Sequence, residues 1–153
     1  MKRVLITGGF GFVGGRLTRK LAQENEVIVS TRAIVNEAFL EAHGNPAVIE
    51  HHKLLSPESF PPNIDTVIHL AALNEIDCLL FPSEAIRVNI DETRMILDNA
   101  INSNVKQFIY FSTAHVYGTA LKGQVDELTL TTPVHPYAIT HKAAEDYVLA
   151  AGI

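Results

Sequence analysis

The sequence predicts an α/β fold, a doubly wound parallel sheet, on three observations. Short, almost continuously apolar runs alternate with longer segments of helical period, as in a sheet covered on both faces. A glycine-rich turn joins the first run to the first helix. No repeat, low-complexity tract or Pro/Gly/Ser linker divides the 153 residues, so one domain with one core is expected, burying roughly 68–70% of the unfolded surface.

The elements follow in order. Arg3 to Thr7 reads as the first strand, and Gly11 to Gln23 as a helix with Val13, Leu17 and Leu21 on one stripe. Glu26 to Ser30 is the second strand. A weaker helix from Ile34 to Ala42 is closed by Gly44, with Pro46 just beyond. Ala47 to Glu50 and Thr66 to Leu70 are the third and fourth strands. Glu84 to Asn102 is a long helix with Ile86, Ile90, Thr93, Leu97 and Ile101 along one side, and Gln107 to Ser112 is the fifth strand. Tyr137 to Ala150 is the last helix, with Pro136 before it and Gly152 near its end. The segments 56–63 and 118–135 carry most of the prolines and read as loops, as does Asn74 to Ser83.

Composition narrows the function classes. The chain is 47% apolar and 19% charged, which is ordinary globular usage. Seventeen acidic against 12 basic side chains give a net charge of −5, which argues against nucleic acid or an anionic membrane as the main partner. Cys78 is the single cysteine, so no internal disulfide forms, and it reads as a small buried residue in a reducing compartment. The opening MKRVLITGGFGFVGG is basic and partly apolar, but glycines interrupt it, and no run approaches the ~18 apolar residues of a membrane span. A cytoplasmic protein is expected.

The stretch TGGFGFVGG, residues 7–15, spaces Gly8, Gly11 and Gly14 by three and three between strand and helix. Glycines suit a turn of positive φ, a close approach of backbone to a pyrophosphate, and tight packing of helix on strand. The helix N-terminus adds unpaired N–H groups for an anion. A purely structural turn is the competing reading, but the position between strand and helix favours a dinucleotide held by Gly8, Gly9, Phe10, Gly11, Phe12, Val13 and Gly14. At the end of the second strand an acidic residue would take a ribose 2′-OH, whereas Arg suits a 2′-phosphate. Here Thr31 and Arg32 stand there. No carboxylate repels the extra phosphate and a guanidinium is at hand, so NADP is the expected cofactor, with NAD possible. The alternative is a solvated Arg32.

Five motifs in order carry a resemblance: TGGFGFVG at 7–14, DTVIHLAA at 65–72, VNIDETRMILDNA at 88–100, FSTAHVYG at 111–118 and PYAITHKAAE at 136–145. With them the chain resembles the N-terminal part of an extended short-chain dehydrogenase/reductase, of the NAD(P)-dependent nucleotide-sugar epimerase/dehydratase kind. The resemblance implies a Rossmann sheet, hydride transfer between nicotinamide and a sugar carbon, and a nucleotide-sugar substrate. It places Leu70, Ala71 and Ala72 along the cofactor, Thr113 against the reacting sugar oxygen, and Tyr137 as general base or acid. Independently, Thr113 falls at the carboxyl end of a strand, where ligands lie in such sheets, and a tyrosine near pKa 10 needs a neighbouring cation or hydrogen bonds to act as a base. Taken singly, the threonine reads equally as a backbone cap and the tyrosine as a packing residue.

Three departures from the family pattern stand out. Its Tyr-x-x-x-Lys lysine, implied to bind the nicotinamide ribose and lower the tyrosine pKa, is replaced by His141. At about 100° per residue, position 141 lies about 40° from Tyr137 and Lys142 about 140° away. A mainly neutral histidine implies weaker activation of the tyrosine and a shifted pH profile. Lys53 stands where the family has an Asp near the adenine; the adjacent His51 and His52, in an extended segment, point apart and read as a solvated pair. Last, relatives continue into a sixth strand and a substrate domain, so the chain is expected to be truncated before both. That leaves the fifth strand as an apolar edge inviting self-association. The two long helices correspond to those of a dimer contact in relatives, and a homodimer is expected. The alternative to an enzyme is a catalytically silent NAD(P)-binding module.

Overall fold

Five strands pair in parallel in the order β3-β2-β1-β4-β5 in this computed structural model, which describes residues 1–119 and 123–153. The strands are β1 (Arg3–Thr7), β2 (Glu26–Thr31), β3 (Ala47–Glu50), β4 (Thr66–His69) and β5 (Gln107–Tyr110). β1 is central: Ile6 pairs with Val29 of β2 along one edge and with Ile68 of β4 along the other, and its apolar side chains alternate between two covered faces. Leu5, Ile6, Val29 and Val67 are fully buried. The order reverses between β1 and β4, which puts the switch point of the sheet at the carboxyl end of β1.

The chain divides into two compact units. The first comprises Met1–Ala71, Met95–Phe111 and Ile153, and the second Ala72–Arg94 and Ser112–Gly152. The sheet belongs to the first, with helices α1 (Phe12–Leu21) and α2 (Glu37–Glu41) and most of α5 (Thr93–Asn102).

Helix α1 does not bury the predicted stripe. Val13 is 47% exposed, and the buried face is Gly14, Gly15 and Thr18, with Leu17 and Leu21 half-covered against the core. The helix comes so close to the glycine loop that small residues take the inner positions, and the Thr18 hydroxyl donates to the Gly9 carbonyl at 2.8 Å. Helix α2 is shorter than its periodicity suggests because Asn36 ends the extended segment and caps it, accepting from the Phe39 N–H at 2.9 Å. In α5 the buried residues are Thr93, Ile96, Leu97, Asn99 and Ala100, while Ile101 faces solvent. Asn99 donates to the Leu54 carbonyl at 2.8 Å. His51 and His52 lie in a 3₁₀ turn, His51–Leu55, and not in the extended segment expected. His51 meets the Ser30 hydroxyl and His52 the Glu50 carboxylate, both at 3.3 Å.

The second unit is helical. Where a loop was expected, α3 (Glu75–Leu80) forms behind Asn74, whose side chain accepts the Asp77 N–H at 2.9 Å. Helix α4 (Pro82–Ile86) starts at a proline in the first turn and runs into one wide π turn, Arg87–Glu92, before α5. The wide turn slips the helical register, so Ala85, Val88, Asn89 and Thr93 are buried while Ile86, predicted inside, is exposed. A 3₁₀ turn, Ala114–Tyr117, precedes the loop 118–135, of which residues 120–122 lie outside the described residues. Helix α6 (Pro136–Ala151) ends on Gly152 with φ +70°, a left-handed C-terminal cap.

Candidate active site

In the first unit the glycine loop is shaped by contact. Gly8 has φ +66°, and a Cβ on it would lie 3.0 Å from the Ala71 nitrogen. A Cβ on Gly14 would lie 2.2 Å from the Gly8 carbonyl oxygen, so no larger residue fits. Gly11 differs: it meets only the Gly8 carbonyl at 3.2 Å and leads into α1 without a side-chain cap. The first amides of α1 are therefore uncapped by any side chain, next to exposed Phe12 and Val13, as an incoming pyrophosphate requires. Phe10 turns inward instead, edge-on to Phe39 at 5.1 Å and to His43 at 5.4 Å, so its backbone is what remains for a ligand. These features fit a dinucleotide.

Behind the loop, β1 and β4 are locked by one hydroxyl. Thr7 Oγ1 accepts the N–H groups of Leu70 and Ala71, both at 3.1 Å, and lies 2.8 Å from His69 Nδ1. Leu70 and Ala71 are thereby fixed against Gly8. At the end of β2, the Thr31 hydroxyl accepts the Ala33 N–H at 3.0 Å and bends the chain, leaving Arg32 exposed. Lys53 is also exposed, 3.9 Å from Glu50.

The second unit holds Ala72, Thr113, Tyr137 and His141. Thr113 ends the extended segment after β5, and its hydroxyl accepts the His115 N–H at 3.2 Å and stands beside the Tyr137 phenol, whose pKa it draws down. Tyr137 is the second residue of α6, half-buried. Burial pushes its phenol above the ordinary tyrosine range, the Thr113 bond pulls it down, and nearby Cys78 and Glu75 push it up again. His141 lies one turn on, 3% exposed, its ring 4.1 Å from the Tyr137 ring. Its Nδ1–H donates to the Tyr137 carbonyl at 2.8 Å. Burial lowers the His141 pKa and that bond raises it, with a net lowering that leaves the imidazole neutral at pH 7. Lys142, on the other side of the helix, pairs with Glu145 and Asp146.

Several residues that shape this region lie outside the sequence motifs' obvious chemistry. Asn89, in the π turn, donates to the Thr140 hydroxyl at 3.0 Å and to the Cys78 sulfur at 3.4 Å, and accepts the Leu73 N–H at 2.8 Å. Thr140 in turn donates to the carbonyls of Pro136 and Tyr137 at 2.9 and 3.1 Å. Asn89 thus holds the turn of α6 that carries Tyr137. His115 stands edge-on to the Tyr137 ring at 6.2 Å, with Glu75 3.8 Å from its Nδ1. A polar residue interrupting the apolar pattern at 89 is a signal for the first; nothing in the spacing of 75 and 115 points to the second.

Comparison with known proteins identifies the family of the chain. A family model described as NAD dependent epimerase/dehydratase family matches residues 4–152. Human dTDP-D-glucose 4,6-dehydratase is 29% identical over 160 residues, covering 96% of this chain and 46% of that protein. The structure of UDP-N-acetylglucosamine 4-epimerase from Methanobrevibacter ruminantium M1, in complex with UDP-N-acetylmuramic acid, superposes with a TM-score of 0.84 at 27% identity, over 97% of this chain and 50% of that one. MoeE5 in complex with UDP-glucuronic acid and NAD gives 0.83 at 29% identity, over 97% and 49%. The chain spans about half the length of the curated relatives it matches. Among the described residues no helix is long and apolar enough to cross a membrane.

Proposed function

Because the chain belongs to the NAD dependent epimerase/dehydratase family, we propose that it serves an NAD(P)-dependent epimerase or dehydratase of nucleotide sugars, with Thr113 and Tyr137 acting on the sugar hydroxyl that is oxidised. What supports this reading is the Thr113 hydroxyl set beside the Tyr137 phenol, whose pKa it draws down, in a chain whose glycine loop fits a dinucleotide. Residues 1–153 supply cofactor binding and this pair, and the substrates of the whole protein belong to the same proposal.

A nicotinamide bound there would supply reversible hydride transfer. The protein's own residues do the rest. Gly8, Gly9, Gly11 and Gly14, with the backbone of Phe10, Phe12 and Val13, would hold the pyrophosphate, and Leu70, Ala71 and Ala72 would flank the cofactor. Thr113 donates a hydrogen bond to the reacting oxygen, and Tyr137 takes that oxygen's proton and gives it back. His141 orders the Tyr137 turn but adds no positive charge, so the tyrosine accepts a proton only at higher pH than a lysine at 141 would allow. At the adenosine end, Thr31 and Arg32 favour a 2′-phosphate, hence NADP over NAD.

The neutral, buried His141 also favours a second reading, a binding module without turnover. Exposed Ile76, Leu79 and Leu80 on α3 and Ile139 and Leu149 on α6 support self-association as a homodimer. To separate enzyme from module, the protein is loaded with NADP⁺ or NAD⁺ and mixed with UDP- and dTDP-hexoses while nicotinamide absorbance is followed. Reduction by at least one sugar supports the enzyme. Saturable cofactor binding with no reduction by any of them favours the silent module.

A further inference from the structure

The backbone of Tyr137 is held by three side chains, two of them histidines that bond with opposite polarity. Its carbonyl accepts from the Thr140 hydroxyl at 3.1 Å and from His141 Nδ1–H at 2.8 Å. Its N–H donates to His135 Nδ1 at 3.2 Å. His135 is the N-cap of α6, with φ −117° and ψ 141°, the extended backbone that a following proline favours. Pro136 has no N–H to satisfy, and the His135 carbonyl accepts the Ile139 N–H at 2.9 Å. The His135 imidazole thus takes the first N–H of the helix, which is that of Tyr137 itself.

We infer that His135 is a positioning residue for Tyr137 and makes that position sensitive to protons: its neutral imidazole fixes the first turn of α6, and a proton on Nδ1 releases it. A group that donates a hydrogen bond can gain a proton and still donate, so His141 keeps its bond to the Tyr137 carbonyl in either charge state. An acceptor cannot. A protonated His135 turns an N–H towards the N–H of Tyr137 and brings positive charge to the helix end that disfavours it. The other side-chain caps, Asn36 of α2, Asn74 of α3 and Thr113 of the 3₁₀ turn, are carboxamides and a hydroxyl, which no proton removes. The further titratable groups at this end of α6 are Tyr137 and His141 on the helix, His115 edge-on to Tyr137, and Glu75 and Cys78 of α3. The inference rests on the reading of Tyr137 as the group that exchanges the sugar hydroxyl proton. With the cap released, the first turn of α6 frays and Tyr137 loses its place beside Thr113. Turnover then falls on the acid side, while the glycine loop keeps its affinity for dinucleotide.

The test compares the wild-type chain with His135→Asn, a cap that does not titrate, and His135→Ala, which has none. At about pH 8 the wild type and His135→Asn melt within about 1 °C of each other, and His135→Ala melts about 2–4 °C lower. At about pH 5.5, within the range where histidine gains its charge, the wild type has fallen to the level of His135→Ala while His135→Asn keeps its advantage. His115, His141 and Glu75 titrate alike in all three proteins, so the difference isolates residue 135. In NMR spectra the Tyr137 N–H moves over the same pH range in the wild type far more than in His135→Asn. Turnover with a nucleotide sugar follows the same order, with dinucleotide affinity equal in all three. Equal pH dependence of melting in the wild type and His135→Asn, or a His135→Ala protein no less stable than the wild type at pH 8, overturns the inference. Hydride transfer undiminished in Tyr137→Phe overturns the reading of Tyr137 instead, because melting and the N–H signal report the cap without any turnover.

Discussion

The glycine loop and the surroundings of Tyr137 are built on opposite principles. At the loop, geometry is set by contact: Gly14 against the Gly8 carbonyl, Gly8 against Ala71, and Thr7 with every hydrogen bond committed. No ionisable side chain lies within the loop itself. Around Tyr137, geometry leaves room, and the outcome depends on charge: a raised phenol, a neutral buried His141, an exposed His115 and a carboxylate at Glu75. The first region should respond to added volume and hardly to pH. The second should respond to pH and to isosteric changes of charge.

The strongest way to break this comparison is Tyr137→Phe, which keeps the packing and removes the titrating group. Turnover should fall by roughly 10²–10⁴-fold while dinucleotide affinity stays within a few-fold, as measured by cofactor reduction and by calorimetric titration. Equal loss of both would mean that Tyr137 is a packing residue. Gly14→Ala is the complement. With a Cβ 2.2 Å from a carbonyl oxygen, backbone must move, so cofactor binding should be lost together with about 1–3 kcal/mol of stability, read from denaturant unfolding.

His141→Lys sharpens the electrostatic side. The alkaline displacement of Tyr137 comes chiefly from burial, with only the Thr113 bond drawing it down. A cation one turn away should move the rising limb of the pH–rate profile to lower pH by about one unit, close to ten-fold in rate at neutrality. An unmoved limb would show that the tyrosine does not set it. Arg32→Ala tests the adenosine end: NADP⁺ affinity should drop by about ten-fold with NAD⁺ little changed, since one exposed charged hydrogen-bonding group is removed. Equal affinity for both cofactors in the wild-type chain would remove Arg32 from the account.

The smallest effect is on stability. His141 is held neutral with a pKa below its ordinary ~6.5, so the unfolded chain binds its proton first as pH falls. Its contribution is complete above about pH 6.5 and is lost progressively below, towards the depressed folded value. The melting temperature of His141→Gln should therefore depend less on pH between about 7 and 5 than that of the wild-type chain.

What could be read in the sequence follows the same division. The five strands and the glycine loop are legible because burial on both faces leaves unbroken apolar runs, and because a turn this tight admits little but glycine. The inner faces of α1 and of the 84–102 helix are not. At α1 the small residues Gly14 and Gly15 lie inside and Val13 outside, which inverts an apolar count, and the π turn at Arg87–Glu92 breaks the 3.6-residue period on which the stripe depends. Helix α3 is hidden because Ile76, Leu79, Leu80 and Phe81 are all exposed, so its apolar pattern marks no core, and only the Asn74–Asp77 cap betrays it. Thr113, Tyr137 and His141 are picked out by motif order, but the neutrality of His141 depends on burial, and the contacts of His115 with Tyr137 and of Glu75 with His115 join residues 22 and 40 positions apart, both earlier in the chain than Tyr137.

Hydride transfer itself is the most direct test. UDP-glucose and dTDP-glucose carrying deuterium at C4 are incubated with the protein and oxidised dinucleotide, and the nicotinamide is examined by mass spectrometry. Deuterium on the nicotinamide, abolished in Tyr137→Phe, is the predicted result. Cofactor that is bound but unlabelled with both sugars would contradict the account and leave a binding module in its place.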